Sequence, residues 1–191
     1  MYFDGSVMKT GAGAGLLFVS PLREHMRYVV RLHFPASNNM VEYEALLSGL
    51  RIAIELDIKR LDVRGDSQLI IDQVIKEASC HNEKMEAYCN AVRRLEDKFD
   101  GLELNHIARK YNKEADQLAK IASGRTTVPP NIFSRDLTKM SVDFKNPAST
   151  EEPEAMDTDF ETSSMDEAKA MEIDEAPLPR DWCTQYLDWM I

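Results

Sequence analysis

The sequence predicts an α/β fold, a five-stranded mixed sheet flanked by helices, followed by a disordered acidic tail. Three observations carry that prediction. The first third holds short apolar runs rich in β-branched and aromatic residues, separated by Gly and Pro. From Glu42 onward the apolar period becomes helical, with strand-like runs between the helices. Past Arg125 the apolar pattern gives way to acidic residues.

Tyr2-Phe3-Asp4 reads as a first strand closed by the turn signal Asp-Gly-Ser. Residues 13–19 and 28–34 are the second and third strands, with Pro21 and Pro35 just past their ends, where no ladder donor is needed. Short connections make these three an antiparallel meander. Residues 42–56 place Leu46, Gly49, Leu50, Ala53 and Ile54 on one helical stripe, with Ser37, Asn38 and Asn39 as cap candidates. Residues 61–64 alternate like a strand and stop at Gly65-Asp66-Ser67. Two helical stretches follow, 68–75 and 82–99, the second with Met85, Tyr88, Cys89, Val92, Leu95 and Phe99 on one side. Residues 102–107 are a fifth strand, and 113–123 a last helix closed by Gly124. Strands four and five are reached through helices and should run parallel as neighbours.

The net charge of −10 is confined to the end of the chain. Residues 1–128 carry 18 basic and 18 acidic side chains, whereas residues 129–191 carry 5 and 15. A polyanionic ligand is therefore compatible with the first part. The expected organisation is a domain at 1–125, a linker at 126–150, an acidic segment at 151–176 and an apolar segment at 177–191. With 11 acidic residues and one Lys, the acidic segment lacks the apolar content that offsets ordering entropy, so it is expected to be disordered. Residues 10–22 form the longest early uncharged stretch, too short and too interrupted by Gly and Pro for a membrane helix. Asp4 and the lack of a basic leader argue against a secretory signal. Cys80, Cys89 and Cys183 form no CxxC pair and read as reduced intracellular thiols, in cytoplasm or nucleus. Cys80-His81 with Cys89 fits no common zinc spacing. Gly11-Ala12-Gly13-Ala14-Gly15 mimics a dinucleotide loop but lies between two strands instead of opening a helix.

Four acids sit where solvated acids are not expected. Asp4 ends the first strand, and Glu42 opens the first helix in line with its apolar stripe. Asp66 follows the fourth strand, at the end where open α/β sheets carry their sites. Asp116 lies in the first turn of the last helix among Ala115, Leu118 and Ala119. Each has an ordinary explanation alone: a turn, a capping box, a helix cap, a first-turn acid. Their joint order carries more. If strands one and four are adjacent, the four carboxylates converge, and such a cluster must take up protons or bind cations. Carboxylates completed by water suit Mg²⁺. Two such ions about 4 Å apart are the arrangement used for phosphodiester hydrolysis.

The segments YFDGS (2–6), NNMVEYEAL (38–46), DSQLIID (66–72) and HIARKYNKEADQLA (106–119) resemble the type 1 ribonuclease H family. More narrowly they are similar to the RNase H region of plant gypsy-type retrotransposon Pol polyproteins. The resemblance covers residues 1–125, and the tail is similar to the connection toward the integrase. It implies an RNase H-like three-layer fold and an endonuclease cutting the RNA strand of RNA–DNA hybrids. Asp4, Glu42, Asp66 and Asp116 become the catalytic acids, holding two Mg²⁺ ions with Mn²⁺ as an alternative. Asn39 and Gln68 match positions that contact the hybrid in its minor groove. His106 matches a catalytic His that assists product release or proton transfer, although the loop after it, Ile-Ala-Arg-Lys-Tyr, departs from the glycine-rich form. The implied partners are nucleic acid and, within a polyprotein, reverse transcriptase and integrase regions. Met1 lies three residues before Asp4, so a shortened first strand is expected. The alternative function is a non-catalytic RNase H-like module that binds nucleic acid or tethers a larger Pol.

Overall fold

The computed structural model describes residues 1–142 apart from Glu77 and His81. The acidic and apolar segments at 151–176 and 177–191, and Cys183, lie outside the described residues. The elements are β1 (Tyr2–Met8), β2 (Gly11–Val19), β3 (His25–Leu32), α1 (Asn38–Glu55), β4 (Arg60–Gly65), α2 (Gln68–Val74), α3 (Glu83–Glu96), β5 (Gly101–His106), α4 (Lys113–Ser123) and β6 (Phe133–Leu137). A 3₁₀ turn at Arg109–Tyr111 precedes α4. The sheet order is β5-β4-β1-β2-β3-β6. β1, β2 and β3 are antiparallel, whereas the β1–β4, β4–β5 and β3–β6 pairs are parallel.

Alternation along β2 divides the core between the two faces of the sheet. Ala12, Ala14, Leu16 and Phe18 join Phe3, Val30 and the apolar stripe of α1 in the main core. On the other face Leu17 and Val29 meet Leu118 and Ala122 of α4 in a second, smaller cluster. The result is three layers: α1 with α3 behind it, the sheet, and α4. Tyr43 of α1 and Tyr88 of α3 stack at 5.2 Å, which fixes α3 on α1. No helix among the described residues is long and apolar enough to cross a membrane.

Three expectations are corrected. The sheet has six strands, because Phe133–Leu137 within the expected linker pairs with β3. Four of its five residues are exposed, so no apolar alternation announces it. It is held by a stack of Phe133 on Tyr28 at 4.9 Å and by Arg135 gripping both oxygens of Glu55 at 3.0 and 2.6 Å. Second, Asp-Gly-Ser does not turn: β1 runs through it to Met8 and pairs with β2 along all seven residues. Gly5 belongs in this strand because a Cβ there would stand 2.8 Å from the Glu42 nitrogen of α1. Third, α1 starts at Asn38 with Ser37 as its cap, placing Glu42 in the second turn and removing it from any capping box with Asn39.

Candidate active site

Glycine governs how closely the two helical layers approach the sheet. Gly5 admits the α1 backbone and so sets Glu42 beside β1. On the opposite face a Cβ on Gly15 would lie 2.2 Å from the Ala115 oxygen and 2.4 Å from the Ala119 nitrogen. The glycines of β2 are therefore a bed for α4, and they bring Asp116 to the sheet. Gly15 is the register partner of Asp4, so the strand carrying one acid lies beside the strand that seats the helix carrying another. Parallel pairing of β1 with β4 brings Asp66, one residue past β4, to the same place.

Asp4 is 6 % exposed, and the Asp66 and Asp116 side chains are 13 % and 17 % exposed. Burial, then the charges of Asp66 and Asp116, push the Asp4 carboxyl up to about 7. Burial, then Asp4 and Asp66, push Glu42 up to about 8, and the backbone amide of Gly5 offsets only part of this. Glu42 Oε2 is buried without a hydrogen-bond partner. Asp116 behaves oppositely. Its burial is outweighed by Lys120, at 2.5 Å, and Arg109, at 3.3 Å, which hold it below the usual carboxylate range. Arg109 also lies 4.0 Å from Asp66. Among the described residues no three His, Cys, Asp or Glu side chains are drawn together tightly enough to chelate an ion. Asp4 and Asp66 share a side-chain hydrogen bond, whereas Asp116 is paired with Lys120 and Arg109.

Asp66 and Ser67 do not act as a helix cap, since Ser67 makes no side-chain cap bond to α2. Asp66 Oδ1 instead accepts from Asn112 Nδ2 at 2.8 Å, and the same nitrogen donates to the Phe3 carbonyl at 2.8 Å. The Asn112 carbonyl accepts from the Asp116 nitrogen at 3.0 Å. Asn112, 1 % exposed, thus ties together the three elements bearing Asp4, Asp66 and Asp116. It escapes a sequence reading because an Asn four residues before Asp116 looks like an N-cap, yet its side chain caps nothing.

The remaining expected residues lie on α1, α2 and β5. Asn39 and Gln68 are exposed in the first turns of α1 and α2. His106 ends β5 in register with Gly65, one residue before Asp66, and is exposed. It makes no hydrogen bond or ion pair with the four acids among the described residues.

The layering, strand order and position of the cluster define an RNase H-like fold. The crystal structure of RNase H1 from Halobacterium salinarum NRC-1 matches it with a TM-score of 0.59 and 28 % identity, covering 65 % of this chain and 96 % of that one. LC11-RNase H1, solved in complex with an RNA/DNA hybrid, shares the fold at 21 % identity and a TM-score of 0.56, covering 65 % of this chain and 95 % of that one. Residues 2–122 match the family described as reverse transcriptase-like, and the chain belongs to that family. Ribonuclease HI of Halobacterium salinarum is 32 % identical over 87 residues, 46 % of this chain and 44 % of that protein. The match therefore spans less than half of that relative's length.

Proposed function

We propose that this chain is a divalent-metal-dependent endonuclease that hydrolyses the RNA strand of RNA–DNA hybrids. The observation that carries the reading is the convergence of Asp4, Glu42 and Asp66, with Glu42 Oε2 buried and unpartnered. An acceptor with no donor, among carboxyls that raise one another, suits a cation. Arg109 and Lys120 already place positive charge on the outer members, Asp66 and Asp116. Asp4, Glu42, Asp66 and Asp116 would hold the metal, with Mg²⁺ as the expected ion. When bound, a divalent ion lowers the pKa of a water and stabilises the leaving oxygen of a phosphodiester. The chain's own contribution is to keep four carboxyls in place through Asn112 and the close approach of both helical layers. Asn39 and Gln68, exposed in the first turns of α1 and α2, would contact the hybrid, whose RNA strand is marked by its 2′-hydroxyls. His106 would assist product release or proton transfer.

The decisive experiment uses end-labelled hybrid and matched duplex DNA with Mg²⁺. Cleavage is expected in the RNA strand of the hybrid alone, and Asp66→Asn abolishes it. Hybrid binding without cleavage would favour a tethering module, and cleavage surviving Asp66→Asn would refute the assignment. The finer reading is a segment of a retrotransposon Pol polyprotein, resting on the similarity of the motifs and the acidic connection. Reverse-transcriptase motifs in an open frame upstream of Met1 would support it, and their absence there would oppose it.

A further inference from the structure

We infer that Cys80 and Cys89 form an oxidation site, a dithiol that hydrogen peroxide converts to an intrachain disulfide, stapling the segment between α2 and α3 onto α3. The two sulfurs lie 2.9 Å apart and both cysteines are free thiols. A disulfide bond is about 2.05 Å long, so closure needs a movement of less than about 1 Å.

The surroundings of the two sulfurs divide the labour. Cys80 is half-buried and lines an open cleft with Lys76, Ser79, Glu86 and Arg93, where a small oxidant can reach it. Cys89 is fully buried, and its sulfur is 2.9 Å from the Tyr43 hydroxyl, which donates to Gln73 Oε1 at 2.8 Å. That contact keeps the sulfur turned toward Cys80. Burial pushes the Cys89 thiol up to about 11, which protects it from direct attack on the oxidant. Arg93 is held by the Gln73 carbonyl at 3.2 Å, and its Nε is buried without a partner. Its charge offsets part of the effect of burial on Cys89.

In the first step the Cys80 thiolate attacks one peroxide oxygen. The O–O bond breaks, hydroxide leaves and takes up a proton as water, and Cys80 becomes a sulfenic acid. In the second step Cys89 gives up its proton and its sulfur attacks the Cys80 sulfur. Hydroxide leaves and becomes a second water. Two thiols and one peroxide yield one disulfide and two waters, the thiols losing two electrons and the peroxide gaining them.

The test uses the full chain carrying Cys183→Ser, treated with equimolar peroxide. Trypsin cuts after Lys76, Lys84 and Arg93, so the bond would join the peptides 77–84 and 85–93. The expected result is loss of two free thiols per chain and recovery of that joined pair without reductant. The melting temperature should rise by about 5 °C and return when dithiothreitol is added. Cys80→Ser should keep the Cys89 thiol reduced at the same peroxide dose. Because Cys80 is half-buried, this variant should melt with the reduced parent, which separates lost chemistry from lost fold. Stepwise over-oxidation of Cys80 with the Cys89 thiol retained, or cross-links only between chains, would overturn the inference.

Discussion

Asp4 and Glu42 keep protons in the folded chain that an unfolded chain releases near 3.8 and 4.5. Their folded values are raised to about 7 and about 8, so this contribution to stability is complete below the unfolded values. It is lost as the pH climbs through the folded ones. With chelator present, the melting temperature should therefore fall between about pH 5 and pH 8, a change on the order of a few kcal/mol. Asp66→Asn removes a charge that faces both groups, so its pH slope should be shallower, and calorimetry across that range checks both statements. Asn112 gives a second expectation. Asn112→Ala strands the Phe3 carbonyl and one oxygen of Asp66, and should cost about 1–3 kcal/mol in denaturant melts while lowering hybrid cleavage. An unchanged melt and cleavage rate would show that this amide ties nothing together. The four acids were legible in the sequence because each broke the rule that acids sit on solvated faces. Asn112 was not, because a cap and a buried bridge look alike in one dimension.

At the scale of elements, the glycines of β2 show how a sequence can be read correctly for what it excludes. Their failure to open a helix excluded a dinucleotide loop, but the expected place between two strands is corrected: they lie inside β2, paired with β1, and their purpose depends on α4, about a hundred residues away, crossing over them. A methyl group on Gly15 would have to push back the α4 backbone at Ala115 and Ala119, leaving Asp116 displaced. Gly15→Ala should destabilise by about 1–3 kcal/mol or more and reduce cleavage more strongly than stability. Parallel melting and cleavage assays decide this, and wild-type values in both would dismiss the close approach as unimportant. The meander and the parallel pair were legible from short and long connections. β6 was not, because an edge strand needs only one partner, and its charged, exposed residues look like linker.

For the whole molecule, β6 changes where the domain can be cut. Beyond the pairing with β3, Arg51 holds Ser141 Oγ at 2.6 Å, and the Ser141 nitrogen donates to the buried Glu44 at 2.7 Å. Removing residues 149–191 takes away acidic charge that would repel a polyanion, so cleavage should hold or rise at low salt, with the gain fading as salt screens it. Removing residues 129–191 also strips β6, uncovers the β3 edge and leaves Glu44 short of a donor. That variant should lose about 2 kcal/mol or more of unfolding free energy. Comparable melts for the two truncations would mean that β6 adds nothing to the domain.

The carboxyl cluster draws its members from three separate layers, and the layers are unequally fastened. Glu42 arrives from the side with the extensive core, while Asp116 arrives from the side where Leu17, Val29, Leu118 and Ala122 make the smaller cluster. α4 thus relies on its close seating against the β2 glycines more than on large apolar side chains, and opening it dismantles the cluster while the sheet and α1 stay folded. Heat should inactivate the protein a few degrees before the main core melts. Amide exchange in α4 should be faster than in α1, and equal protection in the two helices would contradict that order.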